Sequence, residues 1–383
     1  DYEKDIHQAL NIGLDGFLYN MVDPNTANQD WLRFLKCLDA ADGLVASTGF
    51  KIMLNIDANV IAGSNAATLA TAFNTVKARS SYYTDSGTPV VTVFFAEGWT
   101  QAQWNTFQTN TSCKLVLVNN SYTSANWPTS GAFGSGVWGG GCPTDTNTSA
   151  NCTTAKGLGK IWMDPIRPQD MRPVDPQYWE AKGSLLMRTM AARAISNDAN
   201  WVQLVTWNDF RENSGFVPSS GTQYAYFDVA AYYIEWFKLG SAPTIVRDVL
   251  YYFHRIERLG VTYSTGLQTR GAIARSGSDA GIDQIECLSF LTATGDIEID
   301  IGGSVTTFSG VSPGVSSNTV TLPVSASAST IVFRLKRSGT TIVSVTSPFP
   351  VYSSVTYQDF AYRGGSTSRP AVSTLATVSS NPA

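Results

Sequence analysis

Phe50-Lys51-Ile52-Met53-Leu54-Asn55-Ile56-Asp57 is a short apolar run that ends in a carboxylate. Amphipathic segments at 28–48 and 66–80 flank it, so it reads as a buried strand set between two helices. The same unit recurs along the chain. Residues 16–21, 90–96, 115–119, 160–164, 202–207 and 249–254 form further strands, and helical periodicity returns at 178–196 and 224–239. Seven strands in βα alternation predict an α/β protein whose residues 1–260 form a (β/α)8 TIM-like barrel. The opening residues 1–10 read as a helix, so the strand expected ahead of them is missing, and a cleaved N-terminal piece is the expected partner that supplies it.

Beyond residue 260 the helical pattern stops, and Ser, Thr, Gly and Val dominate. Ile297, Ile299 and Ile301 alternate with acids, and Val320, Leu322 and Val324 alternate with small residues. With further strands at 330–336 and 341–345, a C-terminal all-β sandwich is expected over 261–365, followed by an irregular tail over 366–383.

Composition narrows the function classes. The 26 Lys and Arg against 30 Asp and Glu leave a net charge of −4 and no basic block, which argues against a nucleic-acid partner and against anionic polysaccharides. No apolar run approaches the ~20 residues of a membrane span, so no membrane partner is expected. Charged residues make up only 15% of the chain and aromatics 11%, a balance suited to a protein that binds neutral polymers by stacking and hydrogen bonding. The chain opens on Asp1 with no leader, as a mature or trimmed product does.

Of five cysteines, Cys142 and Cys152 lie in a Gly/Thr/Asn-rich stretch that a local disulfide suits, whereas Cys37 sits in an apolar periodic run as a buried thiol. Sequons at Asn110, Asn119, Asn147 and Asn151 point to a secretory, glycosylated product. With no CxxC spacing and only His7 and His254, neither a metal site nor a Ser-His-Asp triad is expected, and no cofactor. His254 reads as a packed structural residue. The glycines of 131–136 lack the Lys of a phosphate loop and read as a flexible loop over a substrate cleft.

Barrel chemistry sits where strands end at their C-terminal side. There the sequence places Asn20, Asp57, Glu97 with Trp99, Asn119, Asp164, and Trp207-Asn208-Asp209. Acids for proton transfer, amides for hydroxyls and indoles for a sugar's C–H face make a carbohydrate site. Glycoside hydrolysis needs one protonated acid on the leaving oxygen and one ionised carboxylate on the opposite face. Asp209 and Glu212, three positions apart, can fill both roles, although two acids after a strand are also an ordinary N-cap and first-turn charge.

Leu14-Asp15-Gly16-Phe17-Leu18-Tyr19-Asn20, the 50–57 run, Phe94-Phe95-Ala96-Glu97-Gly98 and Val205-Thr206-Trp207-Asn208-Asp209-Phe210-Arg211-Glu212 resemble, in order and context, the motifs of glycoside hydrolase family 71, the fungal endo-acting α-1,3-glucanases or mutanases. The resemblance implies a secreted or cell-wall enzyme, a glucan endo-1,3-α-glucosidase that cleaves a neutral α-1,3-glucan with inversion. Asp209 and Glu212 would be the catalytic pair and Asp57 a further essential acid. Glu212 is assigned as the general acid and Asp209 as the base, with the reverse still open. Asn20, Glu97, Trp99, Asp164, Trp207 and Asn208 are the candidate sugar contacts. The chain departs from the family pattern in Arg211, where Gly usually precedes the Glu, and in Ser214, where a His is usual. Two other readings stand beside this one: a non-catalytic carbohydrate-binding protein on the same scaffold, and a hydrolase of another α-glycan linkage.

Overall fold

The computed structural model describes residues 2–119, 132–139, 143–144, 147–326 and 331–369. They fall into two compact units interleaved along the chain, the first from residues 1–140, 146–165 and 193–203, the second from 141–145, 166–192 and 204 onward.

In the first unit, α1 (Tyr2–Asn11) precedes β1 (Gly16–Met21), then α2 (Gln29–Thr48) and β2 (Lys51–Asp57). Asn28 caps α2 by accepting from the Asp30 N–H, and Gly49, at φ 72°, closes it in the left-handed conformation that glycine adopts without strain. Trp31, Phe34, Leu38 and Ala41 carry its buried stripe. After α3 (Ala66–Asn74), the short β3 (Thr84–Asp85) pairs antiparallel with β4 (Thr88–Phe94). There follow α4 (Gln101–Thr111), opened by a Thr100–Gln103 capping box, and then β5 (Lys114–Asn119), β6 (Ala132–Val137), α5 (Asn147–Gly157) and β7 (Ile161–Ile166).

Two short strands, β8 (Asp170–Arg172) and β9 (Gln177–Trp179), and the helix α6 (Leu185–Ser196) lead to β10 (Trp201–Leu204). The parallel sheet runs in the order β1-β2-β4-β5-β6-β7-β10. Such a sheet is buried on both faces, hence the near-continuous burial of β2 and β5. Val90, Val116, Val118 and Met163 form one of its cores, with Leu18, Met53 and Trp201 packed against them.

The expectation of an α/β chain built on a parallel sheet holds, as a curled half-barrel from β1 to β10, but the membership of that sheet changes. The glycine-rich run read as a flexible loop is β6. A Cβ on Gly134 would lie 2.1 Å from Ile161 Cγ1, and one on Gly136 would lie 2.6 Å from the Met163 carbonyl oxygen. The glycines are there because β7 comes too close for a side chain. Conversely, residues 249–254 are a strand outside this sheet.

That strand, β11 (Val249–His254), opens the β-rich part of the second unit after α7 (Ala225–Leu239). The chain continues through β12 (Glu257–Tyr263), β13 (Ile273–Ala274), β14 (Gln284–Leu291), β15 (Gly295–Ile301), β16 (Ser304–Val311), β17 (Gly314–Thr321), β18 (Ile331–Arg337), β19 (Thr340–Thr346), β20 (Tyr352–Val355) and β21 (Arg363–Ser366). Two four-stranded antiparallel sheets result, β17-β14-β11-β21 and β16-β15-β18-β19. Leu250, Tyr252, Ile285 and Cys287 from the first share one core with Ile297, Ile299, Phe333 and Leu335 from the second. The alternation of Ile297 and Ile299 with acids thus has the expected cause, apolar side chains inward and charges outward. The barrel boundary expected at residue 260 cuts through this arrangement, because β11 belongs with the strands that follow it. A second correction concerns 178–196: Gln177–Trp179 is β9, paired with β8 and β13, and the helix starts only at Leu185.

The expected tail at 366–383 begins inside β21, whose sheet the chain extends where Thr367 N–H donates to the Leu250 carbonyl at 3.0 Å. Residues 370–383 lie outside the described ones.

Candidate active site

In the first unit, sheet register builds a row of polar side chains. Asn20 stands opposite Asn55, and Asn55 opposite Thr92. Their side chains join in one direction: Thr92 Oγ1 donates to Asn55 Oδ1 at 2.9 Å, Asn55 Nδ2 to Asn20 Oδ1 at 2.7 Å, and Asn20 Nδ2 to Asp57 Oδ2 at 3.3 Å. The Asn59 N–H donates to the other Asp57 oxygen at 3.1 Å. Thr92, Asn55 and Asp57 are buried, and Asn20 is the member of the row that reaches solvent. Two predicted site residues therefore meet, and the structure adds Asn55. Its sequence signal was an amide in the middle of an apolar run, where a side chain without a polar partner is costly.

Other predicted rim contacts are structural. Trp99 is buried, donates Nε1 to the Ile61 carbonyl at 2.6 Å, and stacks on Trp104 with ring centroids 4.2 Å apart, so it offers no sugar platform. Asp164 is fully buried and accepts from Arg193 Nη2 at 2.7 Å and Trp162 Nε1 at 3.1 Å, which removes it from the sugar contacts. Glu97 sits half-buried on a 3-10 turn, Ala96–Gly98. Asn119 has no exposed surface, so its sequon cannot carry a glycan in this fold, whereas Asn110 and Asn147 are exposed and Asn151 is half-buried. Cys152 is a buried free thiol, and Cys142, its predicted disulfide partner, lies outside the described residues. Cys37 is buried as expected, and burial pushes its thiol up to about 12.

In the second unit, the Trp207–Glu212 segment folds back on itself. Thr206 N–H donates to the Ser214 carbonyl and Phe216 N–H to the Thr206 carbonyl, both at 3.0 Å, with Asn213 in the left-handed region at φ 51°. Asp209 N–H donates to Thr206 Oγ1, and Glu212 N–H donates to Asp209 Oδ1, both at 3.0 Å. The two acids are thus held by one tight turn, with Asp209 acting as its cap. Asn208 is exposed, and Trp207 is half-buried with its ring 6.4 Å from Phe227. Ser214, at the usual His position, is buried, while Arg211 points to the exposed side.

The short strand β8 holds Glu212 from the other side. Met171 N–H donates to the Glu212 carbonyl at 2.8 Å, and Asn213 Nδ2 donates to the Met171 carbonyl at 2.9 Å. The Glu212 carboxylate lies 2.9 Å from Arg172 Nη2. Its proton affinity is nevertheless raised above the usual carboxylate range, chiefly by burial, with the Asp170 and Asp209 charges adding to it and Arg172 and Arg167 opposing. The sequence reading missed Arg167, Asp170 and Arg172, because nothing in the spacing from 167 to 212 announces a contact.

His254 is a packed residue, as expected. Its Nδ1 lies 2.8 Å from the Arg255 carbonyl and its Nε2 2.7 Å from Ser347 Oγ, and burial lowers it to about 4. Arg255 is buried and paired with Glu180 Oε2 at 2.8 Å.

The chain thus joins a sequential parallel sheet of an α/β protein to an Asp-x-x-Glu turn in which burial biases the glutamate toward its protonated form, as in a hydrolase of the glycosidase class. The sequence profile of Glycosyl hydrolase family 71 matches residues 1–375, and the chain belongs to that family. The glucan endo-1,3-alpha-glucosidase agn1 of Schizosaccharomyces pombe is 26% identical over 402 aligned residues, covering 95% of this chain and 90% of that protein. Mutanase Pc12g07500 of Penicillium rubens is 23% identical, with 96% and 85% covered. The ascus wall endo-1,3-alpha-glucanase of S. pombe is 24% identical, with 90% and 87% covered. Among solved structures, the GH99 endo-alpha-mannosidase of Bacteroides thetaiotaomicron aligns with a TM-score of 0.53 at 14% identity, over 62% of this chain and 84% of that one, a likeness of fold alone.

Among the described residues no helix is long and apolar enough to cross a membrane, and no cluster of His, Cys, Asp and Glu is suited to a metal.

Proposed function

We propose that this glycoside hydrolase cleaves α-1,3-glucosidic bonds within a neutral cell-wall α-glucan, endo-acting and with inversion. The observation that carries the reading is the turn that ties Asp209 to Glu212 while the Glu212 carboxyl is biased toward its protonated form. The names of the relatives support the α-1,3-glucan as substrate.

In this mechanism Glu212 gives its proton to the glycosidic oxygen as the bond from C1 to that oxygen breaks. Asp209 takes a proton from the water that attacks C1 from the opposite face, so each turnover leaves Glu212 ionised and Asp209 protonated until solvent resets them. Asp57, oriented by Asn20, serves as the further essential acid, and Trp207, Asn208 and Glu97 as sugar contacts. A secreted or wall-associated location fits this substrate, with glycans carried at Asn110, Asn147 and Asn151. The two antiparallel sheets of the second unit are assigned the role of an accessory β-sandwich.

The test is incubation with insoluble α-1,3-glucan, following reducing ends and the anomer first released. Release of products of inverted configuration by the parent chain, and its loss in Asp209→Asn and Glu212→Gln, is the expected result. An intact, folded protein that releases nothing from α-1,3-glucan overturns the substrate, and products of retained configuration overturn the mechanism.

A further inference from the structure

The contacts around Glu212 pose a problem of charge. A general acid must hold a proton at rest, yet Arg172 sits 2.9 Å from its carboxylate, and a cation at that distance favours ionisation. Arg167 adds to the difficulty. It is buried, and among the described residues its Nε and Nη1 find no hydrogen-bond acceptor, although Nη1 lies 3.3 Å from Asp170 Oδ2.

Asp170 resolves the conflict. Its side chain has no exposed surface, and it takes both forks of Arg172, with Nε on Oδ1 and Nη2 on Oδ2 at 3.0 Å each. A bidentate pair of this kind fixes the guanidinium plane, which leaves Nη2 directed also at Glu212. One buried carboxylate therefore faces two guanidiniums. The groups bearing on Glu212 are Asp170 and Arg172 on β8, Arg167 just beyond β7 and Asp209 on its own turn, with Arg275, whose guanidinium lies over the Trp179 ring, acting on Arg167.

We propose that Asp170 is a positioning residue acting through Arg172: it offsets the charge of Arg172 and Arg167, so that Arg172 orients the Glu212 carboxyl without stripping its proton. The inference rests on the reading of Glu212 as the general acid. It adds a pair of residues that separates two tasks, geometry from Arg172 and charge balance from Asp170.

The two residues then act on Glu212 with opposite sign. Asp170→Asn keeps the shape but leaves both guanidiniums uncompensated, so Glu212 ionises at lower pH. Arg172→Gln removes a cation, so Glu212 holds its proton to higher pH. Arg172→Lys keeps the charge without the planar fork, so the titration stays near that of the parent while turnover falls.

The experiment is the titration of the Glu212 carboxyl by NMR in the full chain labelled with 13C at glutamate carboxyls, with Glu212→Gln identifying its signal, alongside the pH profile of kcat on α-1,3-glucan. Expected are shifts of about one pH unit or more, downward in Asp170→Asn and upward in Arg172→Gln, with the basic limb of the profile moving the same way. Titrations that stay in place, or that move in one direction in both variants, overturn the inference. If Asp170→Asn fails to fold, Arg172→Gln and Arg172→Lys decide it between them: an upward shift in the first and none in the second supports it, and equal titrations in the two overturn it. Full activity in Glu212→Gln, by contrast, sinks the acid assignment itself and is read separately from the titration shifts.

Discussion

Asp57 and Glu212 are both acids at the end of an apolar run or just beyond one, and they are held by opposite means. Asp57 is oriented by neutral N–H groups, the Asn20 amide and the Asn59 backbone, at the end of a row that sheet register lines up. Glu212 sits among two acids and two arginines, brought together by a loop and the short strand β8. Neutral donors orient a carboxylate without placing a net charge beside it. A charge cluster does both, and then needs a compensating group to keep the two effects apart.

The largest effect should fall on the charged turn. Glu212→Gln and Asp209→Asn are each expected to lower kcat by about 10²- to 10⁴-fold on α-1,3-glucan, the range of a positioned acid or base. Asp57→Asn, if the neutral row only orients, should cost less than either, and an equal loss would break the contrast between the two acids.

A structural acid sharpens it further. Asp164→Ala leaves the buried Arg193 without its carboxylate and is expected to destabilise the protein by about 3–5 kcal/mol in denaturant unfolding. Asn55→Ala interrupts the neutral row and should cost about 1–3 kcal/mol by removing a buried amide's hydrogen bonds to Thr92 and Asn20. Trp99→Phe loses one buried hydrogen bond, about 1 kcal/mol, with KM unchanged; a raised KM would restore Trp99 to the sugar contacts.

The smallest expected effect is on the pH dependence of stability, where two buried groups pull in opposite directions. Burial raises Glu257 to about 7, so the folded chain binds an extra proton above pH ~4.5, and this contribution is lost as pH rises toward 7. Burial lowers His254 to about 4, so its contribution is present above about 6.5 and is lost as pH falls toward 4. Unfolding free energies measured from pH 4 to 7.5 should therefore fall less steeply at the neutral end in Glu257→Gln and less steeply at the acid end in His254→Gln.

Much of this was legible in the chain itself, and the failures share a cause. β1 and β2 were readable because each is a short apolar run with a polar residue at or next to its end. β6 was not, because its glycines lower strand propensity for the very reason they are needed, the close approach of β7. β11 was read correctly as a strand and assigned to the wrong sheet, since an apolar run does not say whether its neighbours run parallel or antiparallel. Among the candidate residues, the places of Asn20 and Asp57 at strand ends, and of Asp209 and Glu212 just beyond a strand, were legible. Trp99 and Asp164 followed the same rule, yet their side chains turn into the protein and find Ile61, Trp104, Arg193 and Trp162.

By itself the sequence determined the alternation of strands and helices, the shift to β structure in the C-terminal region and the Asp-x-x-Glu turn, because these depend on periodicity and on residues close in the chain. Only the tertiary structure decided which strands share a sheet, which rim acids are buried in ion pairs, and that Asp170 and Arg172 lie beside Glu212. Those facts depend on contacts between residues some forty positions apart, as between 170 and 212, where packing and charge pairing choose the partner and local pattern carries no trace of the choice.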